Sequence, residues 1–115
     1  MEQNNTYNEN RWEELVLKVS KQFKVTADFD FMLFIIGLNE RGLGFRPYSR
    51  EEKWDMINLG KCKLFEQLGY LRQTGHDGQG WPAFEILKSV NTLTPSLQKH
   101  LLKKAMVTYL DQVMN

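Results

Sequence analysis

Residues 70–87 read YLRQTGHDGQGWPAFEIL, and this stretch decides which kind of fold the chain forms. Its flanks, YLRQT and PAFEIL, have the composition of β-strands, and the glycine-rich segment between them has the length of a hairpin connection with a loose loop. Pro82 offers no amide to a ladder, so the second strand is expected at an edge or to begin late. We therefore predict a two-stranded ribbon at about 70–74 and 83–87. Such a ribbon is marginal alone and must lie against helices, with Trp81 as its natural anchor.

Periodic apolar residues before this ribbon predict two helices. Over about residues 11–24, apolar side chains recur at helical spacing, and acidic residues open the segment while lysines close it, which suits the helix macrodipole. The next segment contains FDFMLFIIGL, which is apolar nearly all round, as expected for a central helix packed on several sides. Thr26 or Asp28 is expected to cap this helix and Gly42 to end it. A buried strand is the competing interpretation of so short an apolar run, and the caps favour the helix.

Two further helices are predicted on either side of the ribbon. The sequence SREE begins at Ser49 and forms a capping box, in which the serine hydroxyl accepts the amide of Glu52 and the glutamate carboxylate reaches back to the serine amide. A helix is expected from there over about residues 50–68. The last helix is predicted at about 94–113, with Pro95 at its first helical position.

The predicted buried face of the third helix includes a lysine. At about 100° per residue, one arc of this helix holds five apolar side chains: Trp54, Ile57, Leu64, Phe65 and Leu68. Lys61 falls inside the same arc, whereas Met56 and Leu59 fall outside it. Two-sided burial with a snorkelling lysine is the simpler explanation, and a lysine held in a pocket is the alternative. The pattern as a whole predicts a mainly α domain of four helices with one β-hairpin between the third and the fourth.

Composition limits the size of the domain and the nature of its partners. The 115 residues fit one helical domain, predicted at 11–115, behind a loosely ordered leader of residues 1–10. A net charge of +1 argues against a partner recruited by charge, so nucleic acid is disfavoured without being excluded. The longest apolar run, 31–37, is far short of the ~20 residues needed to cross a bilayer. Without an export signal, and with one thiol, we expect a cytoplasmic protein that does not enter membranes.

Reactive groups are sparse in this sequence. Cys62 stands alone, which excludes an intramolecular disulfide and a cysteine-built zinc site by count, and burial in mid-helix is its favoured interpretation. His76 and Asp77 make a poor catalytic pair, because neighbouring side chains in extended structure point to opposite faces. A turn explains them better, with Asp77 bonding its own backbone and Gly78 supplying a positive φ. The sequence shows neither a phosphate loop nor a metal-ligand spacing, so no catalytic residue, metal or cofactor is predicted.

A winged-helix reader of DNA is the alternative function. The order of LFEQLGYLRQT, a glycine-rich loop, FEIL and LTPSLQKHLL is similar to the corresponding part of winged-helix regulators, with a recognition helix that runs into a β-wing. The phosphate contacts would then be made by Arg50, Lys53, Lys61, Lys63 and Arg72. Three features count against it: the connection GLGFRPYS is long for a helix-turn-helix corner, the recognition helix would be unusually long, and acidic residues are mixed into that helix.

A second resemblance involves LFIIGLNERG, REEKWDMINLGKCKLFEQLGY and GHDGQGWP. Together these stretches resemble a small family of uncharacterised bacterial proteins, in which a mid-helix cysteine and a GY…GxDxxGWP segment recur. The resemblance covers about residues 29–109 and implies a shared fold and cytoplasmic residence. The family has no assigned activity, so no catalytic residue is transferred. The resemblance does imply that Asp77, Gly80, Trp81 and Pro82 act as a unit.

A non-enzymatic interaction module is the leading functional hypothesis. The chain is rich in aromatic residues, has near-zero net charge, lacks a reactive constellation and places a tryptophan on a loop, where binding residues often lie. We expect it to self-associate or to dock a protein partner. The candidate interaction or structural loop consists of His76, Asp77, Gly80, Trp81 and Pro82.

Overall fold

Four helices and one antiparallel hairpin make up the computed structural model, which describes residues 9–114. In chain order the elements are α1 (Glu9–Phe23), α2 (Phe29–Arg41), α3 (Arg50–Gln67), β1 (Leu71–His76), β2 (Pro82–Ile86) and α4 (Pro95–Val113), with a short 3₁₀ turn at Val90–Thr92 before α4. This is the predicted mainly α architecture, with the hairpin between the third and fourth helices. Of the predicted leader, residues 1–8 lie outside the described residues, and α1 begins two residues earlier than expected.

The helix ends follow the local signals in the sequence. Asp28, rather than Thr26, caps α2, and its carboxylate accepts the amide of Phe31 at 2.8 Å. Gly42 ends α2 in the left-handed conformation, with φ of +68°. The capping box at the start of α3 is complete, because the Ser49 hydroxyl accepts the amide of Glu52 at 3.1 Å and the glutamate accepts the serine amide at 2.8 Å. The apolar segment at the centre of the chain is therefore a helix, and the strand alternative is wrong.

The centre of the core is the contact between α2 and α3. Residues 32–38 of α2 are all buried. A Cβ atom at Gly37 would lie 2.1 Å from the carbonyl oxygen of Met56, and a Cβ at Gly60 would lie 2.2 Å from the carbonyl oxygen of Leu33. The earlier contact residue of α2, Leu33, meets the later contact residue of α3, Gly60. The two helices are therefore antiparallel. Glycine at both points lets the two backbones touch.

The buried face of α3 differs from the predicted arc. Trp54 was expected in the core, but it is 48% exposed. Lys61 is half-buried. The buried residues of α3 include Met56 and Leu59, which the arc left out: the full set is Met56, Ile57, Leu59, Gly60, Leu64 and Phe65. The predicted burial of Trp54 is therefore wrong, and the buried face is centred on the line of contact with α2.

The hairpin packs against α3, and β1 follows directly after the C-terminal end of that helix. The two strands pair antiparallel from Leu71 opposite Ile86 to His76 opposite Pro82, with an irregularity between Gln73 and Gly75. Pro82 is the first residue of β2, where its missing amide does not interrupt the ladder. The strands are thus shifted toward the loop relative to the prediction.

The last helix completes the core from the other side. α4 contacts both α3 and α1, and its buried residues are Leu102, Ala105, Met106, Val107 and Leu110. The core cluster includes residues from all four helices. Among the helices of residues 9–114, none combines the length and the apolar character that crossing a bilayer requires.

Candidate docking surface

The predicted loop is a turn organised by one carboxylate. Asp77 accepts hydrogen bonds from the amides of Gln79 at 2.8 Å and Trp81 at 2.9 Å, and its own amide donates to the Trp81 carbonyl oxygen at 2.8 Å. These two amides hold the pKa of the Asp77 carboxyl below its ordinary value. The positive φ of the turn occurs at Gly80, at +85°, rather than at Gly78 as predicted. The Asp77 side chain is therefore engaged in shaping the loop.

Trp81 anchors this loop to the helical body. Its indole is half-buried and packs against the core, and the Arg41 guanidinium carbon stands 4.3 Å from the ring centroid. Such a cation–π contact contributes roughly 0.5–2 kcal/mol. His76 is exposed at the end of β1, opposite Pro82. The five residues of the predicted loop thus lie together: Asp77 shapes the turn, and the contact of Trp81 with Arg41 joins the hairpin to the end of α2.

A small cleft of about 330 Å³ lies between this loop and α3. Trp81, Pro82 and Phe84 line it from the hairpin, and Cys62 lines it from α3. Burial raises the pKa of the Cys62 thiol, against a smaller opposing effect of the Lys61 charge. A thiol that stays protonated at neutral pH is a weak nucleophile. The cleft therefore does not present an activated cysteine.

A larger, apolar concavity lies on a different face, and none of its residues except Lys53 belongs to a site predicted from the sequence. We call it the aromatic cleft. Its volume is about 640 Å³, within the range of pockets that bind small molecules or inserted side chains. Apolar residues form its walls: Val25, Phe31, Phe34, Phe45, Pro47 and Ile57. Charged residues lie around it: Asp28, Asp30, Arg46 and Lys53.

Phe45 is the central ring of the aromatic cleft. It packs edge-on against Phe23 with a centroid separation of 5.2 Å, against Phe31 at 5.7 Å and against Phe34 at 6.3 Å. The loop that carries it is fixed by Tyr48, whose hydroxyl donates to the Gly44 carbonyl oxygen at 2.7 Å. Even so, Phe45 remains 49% exposed. The cleft is therefore preformed, and it presents a large apolar ring to solvent.

The sequence contains one indication of this cleft, the clustering of phenylalanines, which an analysis of helical periodicity does not detect. Five of the seven phenylalanines fall between residues 23 and 45. Four of them, Phe23, Phe31, Phe34 and Phe45, form one group of ring contacts. Trp54, whose exposure the helical arc also failed to predict, does not line the cleft.

A polar network joins the ends of three helices to the hairpin. Lys63 forms an ion pair with Glu66 at 2.7 Å and with Glu40 at 3.6 Å, and it donates to the Gln73 side chain at 3.1 Å. Burial by itself would lower the pKa of Lys63, but these carboxylates outweigh it and raise the pKa. The Tyr109 hydroxyl donates to Glu40, and burial together with this bond raises the pKa of the tyrosine well above its ordinary value. The network is a structural clamp between α2, α3, α4 and β1.

The basic residues proposed for DNA contacts are dispersed. Lys63 belongs to the polar network, and Arg72 forms an ion pair with Glu85 across the hairpin. Arg50 and Lys53 are exposed near the start of α3, and Lys61 is half-buried further along it. The antiparallel packing of α2 and α3 also differs from the pair of helices at roughly 90–120° in a helix-turn-helix. DNA binding stays a prediction, and the contacts of these five basic residues do not support it.

Neither a metal site in the described part of the chain nor a relative indicates a function for this chain. Among residues 9–114, no cluster of three or more histidine, cysteine or carboxylate side chains is placed to hold a metal ion. Comparisons with protein-family models, with curated proteins and with solved structures found no match to this chain. The resemblances noted in the sequence therefore stay predictions, and the geometry of the aromatic cleft is the basis for assigning a function.

Proposed function

We propose that this chain is a non-enzymatic docking module that accepts apolar side chains of a partner protein in the aromatic cleft. The observation that carries the proposal is Phe45, a ring held in place by three other rings and yet half exposed in a preformed concavity. Large, ordered aromatic rings at the centre of a concave face are typical anchors of protein interfaces. The single free thiol of Cys62 is compatible with action in a reducing compartment, and we place the module in the cytoplasm.

The energy available from the exposed ring of Phe45 supports a modest affinity. The exposed half of a phenylalanine is about 100 Å², and its burial contributes about 2.5 kcal/mol at 25 cal/mol per Å². Phe45 alone therefore supplies about 2.5 kcal/mol, which is below the roughly 4–15 kcal/mol that association costs. A partner must add apolar side chains of its own to fill the cleft. We expect a reversible complex rather than an obligate one.

Site-specific photo-crosslinking tests this function. The photoreactive amino acid p-benzoyl-phenylalanine replaces Phe45 in the chain as it is produced in cells, and irradiation links it to whatever lies in the cleft. The matched control replaces Ile86, which is 75% exposed on the hairpin and does not line the cleft. We expect protein adducts from position 45 that are absent from position 86. If position 45 yields no adduct beyond the control, the aromatic cleft does not dock a protein.

A further inference from the structure

We propose that the partner in the aromatic cleft is a second copy of this chain, related to the first by a two-fold axis through the cleft. This inference rests on the proposed function and names the occupant. The cleft carries two acidic residues, Asp28 and Asp30, and two basic residues, Arg46 and Lys53. In a two-fold interface, residue i of one copy meets residue j of the other, and j meets i. A surface with separated charges of both signs can therefore be complementary to itself.

The register of α2 and α3 separates these charges. Gly37 lies level with Met56, and Leu33 lies level with Gly60. Because the helices are antiparallel, a step of three residues back from Met56 to Lys53 corresponds to a step of three residues forward from Gly37, to residue 40 of α2. Residue 40 and Asp30 are ten residues apart, which is about 15 Å along the axis of α2. The acidic and basic residues thus lie at opposite ends of the α2–α3 contact.

The remaining charges follow the same division. The Arg46 guanidinium stacks on Tyr48, 4.3 Å from the ring centroid and next to the α3 N-cap, so Arg46 belongs to the same end as Lys53. The acidic Glu52 in that first turn is taken up by the capping box and does not line the cleft. When a second copy is placed face to face across the two-fold axis, each acidic end meets a basic end, and the complementary contact is made twice.

This charge arrangement selects a second copy over a partner of uniform charge. An acidic segment would meet Asp28 and Asp30 at one end of the cleft, and a basic segment would meet Arg46 and Lys53 at the other. Like charges across an interface suppress binding, whereas opposite charges at the rim set the orientation. The apolar part of the interface is supplied by Phe45, which each copy presents once.

Two exposed residues allow the pairing to be tested without disturbing the fold. Asp30 is preferred to Asp28, which caps α2, and Lys53 is preferred to Arg46, which stacks on Tyr48. The variants are Asp30→Lys and Lys53→Glu. In a two-fold dimer of either variant, like charges face each other twice. When the two variants are mixed, the heterodimer has opposite charges at both contacts, and the same is true of a dimer of the double variant.

Sedimentation equilibrium measures the association. We expect the wild-type chain to form a reversible dimer at concentrations up to about 1 mM, where even a small interface is populated. Each single variant should raise the dimer dissociation constant roughly tenfold to thirtyfold, from the loss and reversal of two rim contacts. An equimolar mixture of the two, and the double variant alone, should return the constant to near the wild-type value. Circular dichroism confirms that each variant is folded.

The controls reverse charge elsewhere on the molecule. Glu14→Lys on α1 and Lys104→Glu on α4 change exposed residues outside the cleft and should leave the dissociation constant unchanged. Self-docking is overturned if the wild-type chain stays monomeric, if the mixture fails to associate, or if the controls weaken association as much as the cleft variants. Adducts of Phe45 with a different protein would then keep the docking function while removing the second copy as its occupant. Absence of any such adduct would remove both.

Discussion

Adding one methyl group at Gly37 should destabilise the fold even though alanine is the better helix former. The new Cβ would lie 2.1 Å from the carbonyl oxygen and 2.7 Å from the carbonyl carbon of Met56. Carbon and oxygen atoms of neighbouring helices approach to about 3.3 Å, so α2 and α3 must separate by about 1 Å. The obstructing atoms belong to a backbone and cannot rotate away. We therefore take the upper part of the range for overpacked cores, about 3 kcal/mol.

The net effect of Gly37→Ala follows from two opposed contributions. Replacing a glycine in a helix interior by alanine gains about 1 kcal/mol of helix propensity. Subtracting this gain leaves a net loss of about 2 kcal/mol, a large part of the 5–15 kcal/mol that stabilises an ordinary domain. Urea unfolding followed by circular dichroism measures the free energy of unfolding. Gly78→Ala is the control, because its added Cβ meets nothing within 4 Å and its φ is not positive. Its stability should stay within about 1 kcal/mol of wild type.

A double substitution distinguishes a shared displacement of the helices from two local clashes. Gly60→Ala makes the reciprocal clash, with its Cβ 2.2 Å from the carbonyl oxygen of Leu33. Once the helices have separated for one methyl group, the second should fit at little further cost and add its own propensity gain. We expect the double variant to lose clearly less than the sum of the single losses. Additive losses, or a Gly37→Ala variant as stable as wild type, would refute the proposed close contact of the two backbones.

Two further predictions concern polar groups. Tyr109→Phe should lower the free energy of unfolding at neutral pH by about 1–2 kcal/mol in urea titrations, because the half-buried Glu40 loses its hydroxyl donor. Equal stability of wild type and variant would contradict the role of this bond. Asp77 has a depressed pKa, so its contribution to stability is present above the pKa of the unfolded chain and is lost as pH falls through the lower, folded value. Asp77→Asn keeps an acceptor for the amide of Trp81 but does not titrate. Thermal unfolding between about pH 5 and pH 3 should therefore show a shallower loss in the variant than in wild type.

The elements that the sequence predicts well are those set by local chemistry. Asp28, Gly42 and Ser49 act through hydrogen bonds or backbone conformations within a few residues of their own position, so their residue types are sufficient to place the helix ends. The hairpin is similarly local, because its two strands are joined by a turn that Asp77 closes on its own backbone. The positive φ was assigned to Gly78 instead of Gly80, because both glycines of the loop satisfy the same composition rule.

The orientation of α3 could not be predicted from its apolar residues alone. The predicted arc is the one that holds the most large apolar side chains, Trp54 among them, and it gives Gly60 no weight. In the structure Gly60 marks the line of contact with α2, and Trp54, six residues earlier, is rotated by about 120° from that line. A residue that lacks a side chain thus determines which face is buried. Its importance becomes visible only when the partner backbone is in place.

The aromatic cleft depends on the path of a loop rather than on any one helix. The composition of GLGFRPY predicts a loop, and loops usually lie at the surface. The sequence therefore offers no reason to expect Phe45 to contact the rings of α1 and α2, as it does. The hydroxyl of Tyr48 and the edge-on ring contacts fold this segment back onto its neighbours. The loop is thereby ordered before any partner arrives, so docking need not include the entropy of ordering it. That preorganisation is what makes a half-exposed phenylalanine a credible anchor, because a ring on a disordered loop would lose much of the same burial energy in becoming fixed.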